Sequence, residues 1–163
     1  MNSSRHRHRI VLGPPALALL VAVAGCSSTD GSASAAVPSA DAKTVALCRK
    51  LDAVLPSKVD GLGRRDPEPA SALTAGWGNP AIILRCGVGR PAKMADPEAD
   101  GVEVNGVGWL LEKQDGGAFR FTTTLRKAYV EVEIPEAHTG DGLAPLVDLA
   151  PAVKKAIPEG IAD

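Results

Sequence analysis

Two cysteines, Cys48 and Cys86, constrain this chain more than any other feature. Around Cys48 the apolar residues Leu47, Leu51, Val54 and Leu55 recur at helical spacing, which puts the thiol on the buried face of a helix. Around Cys86, Ile82, Leu84, Cys86 and Val88 alternate with Ile83 and Arg85, the pattern of a strand. Both thiols therefore face one core. In an exported chain two such thiols form a disulfide, and closing a loop of this size stabilises the fold by roughly 4 kcal/mol. The pair lacks the close ligand spacing of a zinc site.

Export is read from residues 1–25. Arg5, Arg7 and Arg9 precede an apolar, uncharged run over 10–24 that is interrupted by Gly13-Pro14-Pro15, as in a secretory signal. The run is too short for a membrane span, which needs roughly 20 apolar residues. It ends in Val23-Ala24-Gly25-Cys26, which is similar to a bacterial lipobox. In such a motif only a thiol can form the thioether to diacylglycerol, and small residues before it fit the peptidase. Cys26 is thus the expected lipidation site, and its acyl chains supply the anchor that stable attachment needs. The expected location is the extracytoplasmic face of the cell membrane. Residues 26–40, small and polar after the cysteine, read as a flexible tether. Residues 41–163 form a single extracytoplasmic domain.

Within that domain, residues 41–55 are predicted as a helix stopped at Pro56, and residues 57–79 as a long irregular loop. A strand over 80–88 and a second loop over 89–101 follow. Strands over 107–113 and 118–125 are joined by the turn-rich Gln114-Asp115-Gly116-Gly117. Over 128–134 the residues Ala128, Val130, Val132 and Ile134 form one face, and Tyr129, Glu131 and Glu133 a solvated one. A last helix over 145–157 is expected to break or kink at Pro151. The expected fold is α+β: an antiparallel four-stranded sheet with N- and C-terminal helices packed on it and one disulfide.

Three segments carry a family resemblance. They are Trp77-Gly78-Asn79-Pro80 leading into Leu84-Arg85-Cys86-Gly87, then Arg90-Pro91, and finally Thr124-Leu125-Arg126 with Tyr129-Val130-Glu131-Val132 and Ile134-Pro135. With the lipobox and Cys48 ahead of them, the chain resembles an actinobacterial envelope lipoprotein family known as domain of unknown function 3515, over about residues 45–158. The resemblance implies an exported lipoprotein. It brings no activity, cofactor or catalytic residue.

Chemistry-bearing patterns are sparse. With 18 Lys and Arg against 19 Asp and Glu, the chain lacks the basic excess of a nucleic-acid binder. After Cys26 the one histidine is His138, near Asp141 in a Gly-rich loop, and no Gly-x-Ser-x-Gly elbow accompanies it. One histidine cannot build a multi-histidine metal site. Asp96, Glu98 and Asp100 alternate as in a calcium loop, but the glycine and distal Glu are misplaced. No metal and no cofactor is expected, and an enzyme is disfavoured. Residues 58–93 carry Lys58, Arg64, Arg65, Arg85, Arg90 and Lys93 against Asp60, Asp66 and Glu68, whereas the rest of the domain is acidic. Arg64, Arg65, Arg85 and Arg90, with Trp77 beside them, are the candidate face for an anionic envelope component or an envelope protein. The competing readings are that these arginines neutralise the acidic half within the fold, and that Trp77 and Trp109 pack in the core. The expected function is a lipid-anchored, non-catalytic binding or interaction module. The alternatives are a small-ligand-binding accessory lipoprotein of a transporter and a cell-envelope hydrolase using His138 and Asp141.

Overall fold

The computed structural model describes residues 33–162. The signal segment, Cys26 and the first part of the tether lie outside the described residues. Helix α1 (Ala42–Asp52) starts where Asp41 supplies what the first turn lacks: its Oδ1 accepts from the backbone N–H groups of Lys43 at 2.7 Å and Thr44 at 3.2 Å. Strands β1 (Lys58–Val59) and β2 (Leu62–Gly63) form a small hairpin, turned by Asp60 and Gly61 at positive φ of 51° and 74°.

The main sheet is antiparallel and has six strands, not four. Its order is β3 (Thr74–Trp77), β4 (Ile82–Cys86), β8 (Val130–Ile134), β7 (Phe119–Thr123), β6 (Val107–Lys113), β5 (Gly101–Val104). The two further strands are edges: β3 falls within the stretch 57–79 expected to be irregular, and β5 begins at the end of the expected loop 89–101 and runs into residues assigned to no element. A Cβ on Gly76 would lie 2.6 Å from the Arg65 carbonyl, so glycine there lets the preceding segment cross β3 closely. At the other edge, Asn105 and Gly106 at φ 50° and 78° turn β5 into β6.

One sheet face is apolar. Ala75, Trp77, Leu84, Trp109, Phe121 and Val132 share it and are buried against Cys48 and Leu51 of α1 and Leu146, Leu149 and Val153 of helix α2 (Ala144–Ala156). Each of the leucine, valine and phenylalanine side chains among them contributes about 1.5–3 kcal/mol on burial. The Cys48–Cys86 disulfide is formed and fixes α1 to the end of β4. Among the described residues no helix is long and apolar enough to cross a membrane.

Helix α2 passes through Pro151 without the expected break. Proline offers no N–H to the Val147 carbonyl one turn earlier, and the side-chain amide of Asn105 donates to that oxygen instead, at 3.3 Å. Beyond α2, Arg126 is only 3% exposed. Its guanidinium donates to the carbonyls of Gly106 at 2.9 Å and Ile157 at 3.1 Å, tying the C-terminal segment to the β5–β6 turn.

The opposite sheet face is polar and is not the solvated surface expected for β8: Glu131 is 6% exposed. Cross-strand neighbours explain this. Arg85 on β4 stands opposite Glu131 and donates to its Oε1 through Nε at 2.9 Å and through NH2. Arg120 on β7 stands opposite Glu133 and bonds its Oε2 at 3.3 Å. The described end of the 26–40 segment is also laid against the domain. Glu68 N–H donates to Ala33 and accepts from Ala35 N–H through its own carbonyl, at 2.8 and 3.1 Å, and Ala35 is buried.

Candidate functional site

The polar face holds a groove of about 460 Å³. Arg85, Arg120 and Glu131 lie in its floor with Glu112. One wall is the segment 36–39, and the other runs through Gly87, Val88, Gly89, Pro91 and Lys93. Strand register creates the floor: Arg85, Glu131 and Arg120 come from three adjacent strands, β4 lying far from the other two in sequence. Three cations and two carboxylates line the groove, with Arg120 also paired to Glu133 and Lys93 to Asp96. Lys93 is held charged by its hydrogen bond to Asp96, which raises its pKa. The Nε of Arg120 is buried without a hydrogen-bond partner among the described residues and lies 3.7 Å from Glu131 Oε1. Two guanidinium groups beside a single carboxylate oxygen favour an incoming anion.

The four arginines expected to form one anionic-ligand face do not converge. Arg85 lies in the groove. Arg64 sits beside α1, where it donates to Asp52 at 2.7 Å and to Asp66, and its guanidinium carbon stands 5.5 Å from the Trp77 ring centroid. Burial draws the Arg64 pKa down, but Asp52 and Asp66 outweigh it and the net shift is upward. Arg65 donates its backbone N–H to Gly76. Arg90 is exposed and lines an adjoining cavity with Asp41 and Tyr129, on the other side of the shared residues Ser39 and Gly87 to Gly89. Trp77 is fully buried, and its indole N–H bonds the Pro56 carbonyl at 3.0 Å. Trp109 is buried too. Both tryptophans are core residues. Arg120 and Glu112 were not among the expected site residues; the signal for them is the Phe119-Arg120-Phe121 alternation, which sends Arg120 to the face opposite the aromatic pair.

His138 lies at the other end of the sheet, with its Nε2 on the Pro80 carbonyl at 3.0 Å. Since a carbonyl only accepts, Nε2 carries the proton in this contact. Nearby, Asp60 is shifted upward in pKa, chiefly by burial and then by Asp141. No group of three or more metal-ligating side chains occurs among the described residues.

A family pattern for proteins of unknown function, DUF3515, matches residues 10–162. The chain belongs to the DUF3515 family. No curated protein and no solved structure matches it. For this DUF3515 chain the groove and the residues around it therefore carry the functional argument by themselves.

Proposed function

We propose that this protein is a lipid-anchored, non-catalytic binding domain at the outer face of the cytoplasmic membrane, and that the groove between segments 36–39 and 87–93 takes an anionic ligand or an anionic segment of an envelope partner. The observation that carries the reading is the meeting of Arg85 and Arg120 in a groove whose wall is the stretch of chain leading back to Cys26. Only residues 27–32 separate Cys26 from Ala33, the first described residue, which is paired with Glu68. Seven residue steps span at most about 24 Å. Ligands at the membrane surface are then the ones the groove meets. The formed disulfide supports an oxidising compartment.

Two measurements test the two halves of the proposal. Palmitate labelling should appear on the wild-type chain and vanish on Cys26→Ser; label that persists refutes the anchor site. A thermal-shift screen with peptidoglycan fragments, anionic phospholipid headgroups and sugar phosphates tests the groove. A ligand at a hundredfold its dissociation constant adds about 2.7 kcal/mol of stability. That gain should be lost on Arg120→Gln, while an equal shift in the variant moves binding away from the groove.

A further inference from the structure

The two most exposed large aliphatic side chains of the described chain, Leu125 at 72% and Ile161 at 77%, line one cavity of about 530 Å³ at the end of the sheet. Neither is there by default. Leu125 adopts φ +52°, a left-handed conformation that a leucine avoids, and strain of this kind persists only where the surroundings impose it. The surroundings do so. Gly160 N–H donates to the Leu125 carbonyl at 3.0 Å, and Lys127 N–H to the Pro158 carbonyl at 3.0 Å. Between them the buried Arg126 holds the C-terminal segment by the Ile157 carbonyl. The fold thus commits a buried guanidinium and a strained residue to holding a leucine out in water.

The charges around the pair are uneven. Ile161 shares a second cavity with Lys43 and Lys127, and the neighbouring Ala162 shares one with Arg90. Lys43, Lys127 and Arg90 are exposed and form no ion pair among the described residues. The nearby acids are largely engaged: Asp41 caps α1, and Glu159 lies 3.7 Å from Arg126. Among the described residues lining the cavity, Glu103 is the remaining carboxylate.

From these observations we infer that Leu125 and Ile161, with Lys43, Lys127 and Arg90 around them, form a docking face for an anionic phospholipid surface, the aliphatic tips entering the headgroup boundary and the cations facing lipid phosphates. The inference rests on the anchoring reading. A chain attached seven residues before Ala33 holds that residue at most about 24 Å from its anchor, so the bilayer is the surface present at the highest effective concentration. Docking there fixes which way the groove faces.

Photo-crosslinking tests it. The full lipidated chain is placed in vesicles containing phosphatidylglycerol and a phospholipid with a diazirine in its acyl chain, and adducts are mapped by mass spectrometry. Adducts are expected on the segments holding Leu125 and Ile161. Leu125→Asn should lower them about tenfold, the worth of one inserted leucine, without unfolding, because asparagine tolerates positive φ. Palmitate labelling of Cys26 with no adduct on either segment overturns the docking face and leaves the anchor standing. Absence of that label overturns the anchor instead. The patch is then judged on the Cys26→Ser chain, whose sedimentation with phosphatidylglycerol vesicles must fall with Leu125→Asn. Equal sedimentation of the two, or crosslinking of the patch to a protein in place of lipid, refutes lipid docking.

Discussion

The bond from Asn105 to the Val147 carbonyl makes a prediction that no single substitution can test. A proline inside a helix costs roughly 3 kcal/mol relative to alanine, part of it from the carbonyl it leaves without a partner. Here that carbonyl has Asn105, at 3.3 Å and on the exposed side of α2. The geometry places the bond at the weak end of the usual net range, about 0.5–1 kcal/mol. Asn105→Gly removes the amide and keeps the positive φ of 50° at no steric cost. In the native background it should destabilise by that bond plus glycine's greater freedom in the unfolded chain. In Pro151→Ala the new N–H serves Val147, so the bond contributes nothing and the glycine effect alone remains. The double difference cancels the glycine effect and should read about 0.5–1 kcal/mol. Urea unfolding of the four Cys26→Ser chains, with the disulfide oxidised, measures it. Additivity within about 0.3 kcal/mol, the scatter of independent sites, would show that the amide does not replace the missing N–H.

Four further outcomes follow from named contacts. Removing the disulfide as Cys48→Ala with Cys86→Ala frees a loop of sequence separation 38, and calorimetry should show a loss of roughly 4 kcal/mol. Gly76→Ala would drive a Cβ against the Arg65 carbonyl, and a cost of about 1–3 kcal/mol is expected in denaturant melts. Asp41 and Asp60 act oppositely with pH. The hydrogen bonds from Thr44 and Lys43 lower the Asp41 pKa, so its contribution is present above the unfolded value near 3.8 and is lost as pH falls through the lower folded value. Burial and Asp141 raise the Asp60 pKa, so its contribution is present below 3.8 and is lost as pH rises through the raised value. Asp41→Asn should flatten the first limb of a stability profile and Asp60→Asn the second. Leu125→Asn should raise stability by about 0.5–1 kcal/mol by relieving left-handed strain, and a loss measured by thermal melting would show that the leucine packs instead of being displayed.

The core was legible because its residues announce it locally. Leu47 to Leu55 and Leu146 to Ile157 carry the helical period, Ile82 to Cys86 and Val130 to Ile134 the strand period, and those patterns place both members of the disulfide. The two missed edge strands had turn signals beside them, Gly78-Asn79-Pro80 after β3 and Asn105-Gly106 after β5. What hid them is length: two to four residues hold too little alternation to separate a strand from a loop, and β3 is held in place by Arg65 and Gly63 from outside the sheet. Glu131 shows another limit. Alternation says that it leaves the apolar face, but only the register with β4 and β7 shows that Arg85 and Arg120 close over it.

That register also explains why charge counted along the chain could not locate a site. A basic excess over residues 58–93 has no meaning in space once Arg64 is turned to Asp52 and Asp66, and Arg85 to a glutamate forty-six positions away. Neutralisation in this fold works across strands. The places where it stays incomplete are therefore the informative ones. The first is the groove, where two guanidinium groups converge on one buried carboxylate oxygen and the Nε of Arg120 has no hydrogen-bond partner among the described residues. The second is the rim at Leu125 and Ile161, where Lys43, Lys127 and Arg90 form no ion pair among the described residues and two aliphatic side chains stay in water. A fold stapled by a disulfide and satisfied nearly everywhere inside leaves these two surfaces with the least satisfied physical chemistry. A partner would gain most free energy by covering them.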